Sequence, residues 1–85
     1  MLEQLKQDTY TFNTIAGTDL AVHYEAFWQQ FAVLLEEVRE IEDALYYSDL
    51  TEVVDGVIDT LVVALGLWQK LENKGVDMNK AAELI

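Results

Sequence analysis

Phe27, Phe31, Leu34, Leu35, Val38, Ile41 and Leu45 form one apolar series whose members recur three and four residues apart. That spacing fits one side of a helix and not a strand, whose side chains alternate every second residue. A second run, "LVVALGL" from Leu61 to Leu67, is apolar on every side of a helix. Such a helix has more surface to bury than one partner helix covers. The sequence contains no proline, so its breaks fall at other signals. "AGTD" (Ala16 to Asp19) and "NKGVD" (Asn73 to Asp77) each place a helix-ending glycine before an N-cap residue. In "YYSDLTE" Asp49 and Glu52 have capping-box spacing. Helices are expected at about 2 to 16, 20 to 46, 50 to 74 and 78 to 85, with ends good to ~2–4 residues. The expected fold is all-α: one domain over 1–85, a four-helix bundle with two long central antiparallel helices. At this size a lone core is marginal. A homo-oligomer built around the third helix is expected, a tetramer first and a dimer otherwise, burying Leu61, Val62, Val63, Ala64, Leu65, Leu67 and Trp68.

Charge narrows the partners. Sixteen acidic residues against five basic ones give a formal charge of −11, which disfavours binding to nucleic-acid phosphates and to anionic membranes. More than half of the residues are hydrophobic, 52%, too many for a disordered acidic tail. With no cysteine, thiolate metal sites and disulfides are excluded and a reducing compartment is the natural setting. "MLEQLKQDTY" lacks the features of a signal peptide, and no apolar run approaches a membrane span. A cytoplasmic protein is expected.

Nine of the sixteen acids lie between Glu36 and Asp59. At roughly 100° per residue, Glu37 falls beside the apolar stripe of the second helix, Glu40 about 60° further round and Glu36 about 40° beyond that. Glu52, Asp55 and Asp59 share a sector about 60° wide on the third. Residues three or four apart on a helix are neighbours, so Glu37 with Glu40, and Glu52 with Asp55, each aim two carboxylates at one point. A short turn at "YYSD" would let the two pairs face each other. Such an all-oxygen site suits Mg²⁺, which takes a few carboxylates and accepts phosphate oxygens as further ligands. Read singly, Glu36, Glu42 and Asp43 are solvated surface and Glu52 is a cap partner; the joint pattern on consecutive helices points to a metal.

"EEVRE" (Glu36 to Glu40) followed by "EVVD" (Glu52 to Asp55) resembles the EExxE and ExxD motifs of the MazG-like, all-α nucleoside triphosphate pyrophosphatases. "DGVIDTLVVALG" is similar to the continuation in short phage and bacterial members, and the resemblance covers about Phe27 to Asp77. It implies Mg²⁺, with Mn²⁺ as a substitute, ligated by Glu37, Glu40, Glu52 and Asp55. Glu36 and Asp59 match further acids of the family, and with Glu37 and Glu40 they form the expected catalytic set. The implied reaction converts an NTP or dNTP to the monophosphate and pyrophosphate. Eleven residues separate Glu40 from Glu52, at or just below the usual spacing. Similar short members commonly continue past the fourth helix into an Asn- and Lys-containing segment that contacts phosphate; here either Lys70, Lys74 or another subunit supplies that charge, or activity is weak or lost.

Other residues are expected in lesser roles. Gln30, one heptad before Glu37, and Asn13, Trp28 and Lys74 are candidate substrate contacts, while Phe12, Tyr24, Phe27 and Trp68 are read first as core or interface. His23 is the only histidine, which excludes a di-iron site needing two Glu-x-x-His motifs. It is expected at a surface or helix start, and Ser48 in a capping turn. The rival function is a non-catalytic acidic helical protein that engages a basic partner as a nucleic-acid mimic does.

Overall fold

A computed structural model of the chain describes residues 2–16 and 24–84. Four helices make up the fold: α1 (Leu2–Ala16), α2 (Tyr24–Tyr46), α3 (Leu50–Asn73) and α4 (Met78–Glu83). No strand occurs among the described residues. The break expected at Gly17–Asp19, the start of the second helix near residue 20, and His23 lie outside them.

The two punctuation signals inside the described region act as their chemistry requires. Asp49 caps α3 by accepting from the Glu52 amide at 3.2 Å, and the Asp49 amide donates back to the Ala44 carbonyl at 2.9 Å. Between the helices Ser48 takes a left-handed φ of 55°, so three residues suffice to reverse the chain. At the far end of α3 the Val76 amide donates to Leu71 O and the Gly75 amide to Glu72 O, both at 3.0 Å. This paired bonding is a Schellman stop, and it uses the left-handed φ of 102° at Gly75. Asp77 then caps α4 through the Lys80 amide at 3.0 Å.

Every helix-to-helix packing among the described residues involves α3: α1, α2 and α4 each lie against it and not against one another. Its all-round apolar character is therefore largely spent inside one chain. Val62, Val63, Leu65, Leu67 and Trp68 are half-buried, whereas Leu61 and Ala64 of the same band stay exposed. α2 and α3 run antiparallel, as Ile41 opposite Gly56 and Gln30 opposite Gly66 require. A Cβ at Gly56 would stand 2.6 Å from Ile41 Cγ1, so glycine sets the closest approach of the two helices. Gly56→Ala gains ~1 kcal/mol of helix propensity and incurs ~1–3 kcal/mol of overpacking. The contacted atom belongs to a β-branched side chain that is stiff at χ1. A net loss of about 1 kcal/mol is expected, read as a lower urea midpoint; a midpoint at or above wild type would show that Ile41 yields freely.

A polar layer ties α1 and α2 to α3. Asn13 donates to Gln69 Oε1 at 2.9 Å, Gln69 donates to the Tyr10 carbonyl at 3.4 Å, and Gln30 donates to the Val63 carbonyl at 3.0 Å. The Tyr10 hydroxyl donates to Glu72, and burial followed by that bond and the Glu72 charge pushes the phenol above its usual range. The apolar core is thin by contrast. Ala44 is the one hydrophobic side chain in the buried class among the described residues, and none is fully buried.

Candidate metal and substrate site

The α2–α3 hairpin has two sides. Around each helix, at roughly 100° per residue from the contact of Ile41 with Gly56, Glu36, Glu40, Glu52, Asp55 and Asp59 lie in one rotational sense, with Val33 among them, and the exposed Phe31, Leu35, Val38, Leu45, Val57 and Leu61 in the other, with Glu42 among them. Because the helices are antiparallel, the same sense on both brings all these acids to one side of the hairpin. Glu37 sits close to the contact line itself, one heptad after the inward-pointing Gln30.

Glu37 is where the site departs from plain surface. Its Oε2 is buried and has no hydrogen-bond partner. Burial raises its carboxyl above the ordinary 4.5, and Glu40 adds to this through its charge and through a bond between carboxyls that requires a retained proton; Asp59 and Glu36 follow. Glu37 thus meets Glu40, Asp59 and Glu36 electrostatically. A second grouping lies nearer the turn, where Glu40 and Glu52 line a pocket of about 370 Å³ with Asp43, Ala44, Tyr47 and Asp49. Glu40 belongs to both groupings. Asp55, one turn before Asp59, is exposed and is in neither.

These residues fit a hard divalent cation in donor chemistry and in charge: all are carboxylates, and an orphaned buried oxygen lies among like charges. No group of three or more acidic or histidine side chains among the described residues stands in ligating positions. Glu36, Glu40, Glu52, Asp55 and Asp59 are exposed, so their side chains have room to change rotamer.

The expected substrate contacts are placed elsewhere. Gln30 and Asn13 are held in the bonds between helices described above. Trp28, nine residues before Glu37, lies about 180° away round α2. It lines an apolar pocket of about 370 Å³ with Tyr24, Phe27, Phe31 and Leu67, its ring edge-on to Phe31 at 5.8 Å. Lys74 belongs to that neighbourhood, its Nζ 4.7 Å from the Tyr24 ring centroid. Sequence reasoning missed Tyr47, an exposed aromatic ring beside the acids at the turn; its adjacency to the Asp49 cap was the available signal. It also read Asp43 as bare surface and Asp49 as a cap alone, although both line the pocket.

The raised Glu37 carboxyl has a consequence for stability. The folded chain keeps this proton to higher pH than the unfolded chain does, so stability falls as pH rises from 4.5 through the raised value. The melting temperature of metal-free protein is expected to decline across that window, and less steeply in Glu37→Gln. Identical slopes in the two proteins would remove Glu37 from the cluster.

No helix among the described residues is long and apolar enough to cross a membrane. No protein-family model, curated protein or solved structure matches the chain.

Proposed function

We propose that the chain is a Mg²⁺-dependent nucleotide pyrophosphohydrolase, active as a homo-oligomer, that splits an NTP or dNTP into the monophosphate and pyrophosphate. The observation that carries this reading is the buried, partnerless Oε2 of Glu37 among Glu40, Asp59 and Glu36. A carboxylate in that position calls for positive charge, and the chain offers few cations of its own. The spacing of "EEVRE" and "EVVD" supports the same reading.

Glu37, Glu40, Glu52 and Asp55 would hold Mg²⁺, or Mn²⁺ in its place, whose bound charge offsets that of the phosphate oxygens. Glu36 and Asp59, both exposed beside Glu37, are the remaining bases; one of them orients the attacking water and takes its proton at a carboxylate oxygen. Gln30 acts by fixing α2 on α3 through the Val63 carbonyl, which sets where Glu37 points. Asn13 does the same for α1 through Gln69. Trp28 and Lys74, on the far side of α2 from the acids, reach substrate only when it extends round the helix or lies on a neighbouring copy.

The exposure of most of the acids favours the rival reading, an acidic surface that engages a basic partner. A panel of NTPs and dNTPs assayed for pyrophosphate with and without Mg²⁺ separates the two. Turnover that requires the metal is expected. Salt-sensitive binding to a basic protein with no turnover of any nucleotide would establish the rival.

A further inference from the structure

We infer that the cavity between α1, α3 and α4 binds a small ligand that joins an apolar ring to a single carboxylate, with Lys6 receiving the carboxylate and Trp68 the ring. The cavity is separate from the acids grouped round Glu37, none of which lines it, and the inference does not rest on the hydrolase reading.

The cavity has a volume of about 360 Å³, at the small end of the ~300–1,000 Å³ that ligand sites occupy. The bonds that tie α1 to α3 begin at Tyr10, and the cavity opens between α3 and the turns of α1 before that point. Leu2 of α1 and Leu61, Ala64, Leu65 and Trp68 of α3 form its apolar wall. Water finds few hydrogen-bond partners on such a wall, so an apolar group gains by displacing it. Trp68, the one aromatic side chain of that wall, suits a ring in the ligand.

The polar groups at the cavity define the other end of the ligand. Lys6 lines it and is half-buried, with its Nζ 5.3 Å from the Trp68 ring centroid and 5.6 Å from that of Tyr10. Among the described residues no carboxylate lies within ion-pair distance of it. Ring faces attract a cation but give it no counter-charge. The Nε1 of Trp68 is buried and has no partner either. Both unmatched groups are donors, and their complement is an acceptor that carries negative charge. Glu3, exposed, also lines the cavity. Its charge, with the −11 of the whole chain, favours one negative charge on the ligand over the several of a polyphosphate. Asn79 of α4 completes the polar edge and supplies an amide donor for the second carboxylate oxygen.

Hydrocinnamate, a phenyl ring on a short chain that ends in a carboxylate, is the probe. Isothermal titration into wild type is expected to give a Kd of about 1 mM or below. Hydrocinnamyl alcohol keeps the ring and lacks the charge, and is expected to bind at least about tenfold more weakly. Lys6→Met keeps an apolar stem without the ammonium, and is expected to bring the acid down to the affinity of the alcohol. Trp28→Phe leaves Trp68 as the only tryptophan, and its emission is expected to change as the acid binds. Should Lys6→Met fail to fold by circular dichroism, the comparison of acid with alcohol and the Trp68 emission still decide. No saturable binding of the acid, equal affinity for acid and alcohol, unchanged affinity in a folded Lys6→Met, or a Trp68 emission that ignores the acid overturns the proposal.

Discussion

Glu37→Gln and Glu40→Gln are each expected to lower Mg²⁺-dependent pyrophosphate release by on the order of 10²–10³-fold, the loss that follows removal of one preorganised electrostatic group. Helicity is expected to be retained. Glu40 is the acid common to both groupings, beside Glu37 and in the turn pocket with Glu52. Each substitution removes one negative charge from a cluster in which Glu40, Asp59 and Glu36 raise the proton affinity of Glu37, so metal-free protein should become no less stable. Thermal melts with and without Mg²⁺ supply the second readout: wild type gains stability from the metal and both variants lose most of the gain. Asp55→Asn is expected to behave alike, and it is the most informative of the series, because the motif makes Asp55 a ligand whereas the structure sets Asp59, one turn on, nearer Glu37. Full activity in Asp55→Asn beside loss in Asp59→Asn would move the ligand role to Asp59. Wild-type activity in both Glu variants would end the case for this site.

Gln69→Ala is expected to destabilise the fold by about 2–4 kcal/mol, through the lost packing of a long buried side chain and the interhelical bonds that go with it. Gln69 is 6% exposed. It accepts from Asn13 at 2.9 Å and donates to the Tyr10 carbonyl at 3.4 Å, so the substitution removes both contacts between its amide and α1. In a chain with so thin an apolar core, that is a large share of what holds α1 in place. Urea unfolding of wild type and variant gives the number, and hydrogen exchange gives the location, with α1 amides losing protection before those of α2 and α3. A loss under ~0.5 kcal/mol, the range of an ordinary surface substitution, would show that α1 is held by other contacts.

The sequence by itself determined what depends on neighbours along the chain. The three-and-four spacing from Phe27 to Leu45 requires a helix, and the second, third and fourth helices end within about two residues of their expected positions. Asp49, Gly75 and Asp77 cap and stop helices because capping is a matter of a side chain or a φ angle within a few residues. Glu36 and Glu40 on α2, and Glu52, Asp55 and Asp59 on α3, share one side of their helix for the same reason, since helical phase is fixed by counting. Tertiary structure decided which helix covers which surface. The apolar run after Leu61 gave no sign that α1 would take its C-terminal half and leave Val54, Val57, Ile58 and Leu61 exposed, because an all-round apolar helix has no phase to say which neighbour lies where. Helical counting likewise put Glu37 beside the stripe but not under it; its Oε2 is buried only in the packed chain. Gln30, Asn13 and Gln69 read as polar positions of no fixed role in sequence. They became the ties between helices because a buried amide must find a partner, and only the packed helices determine which one.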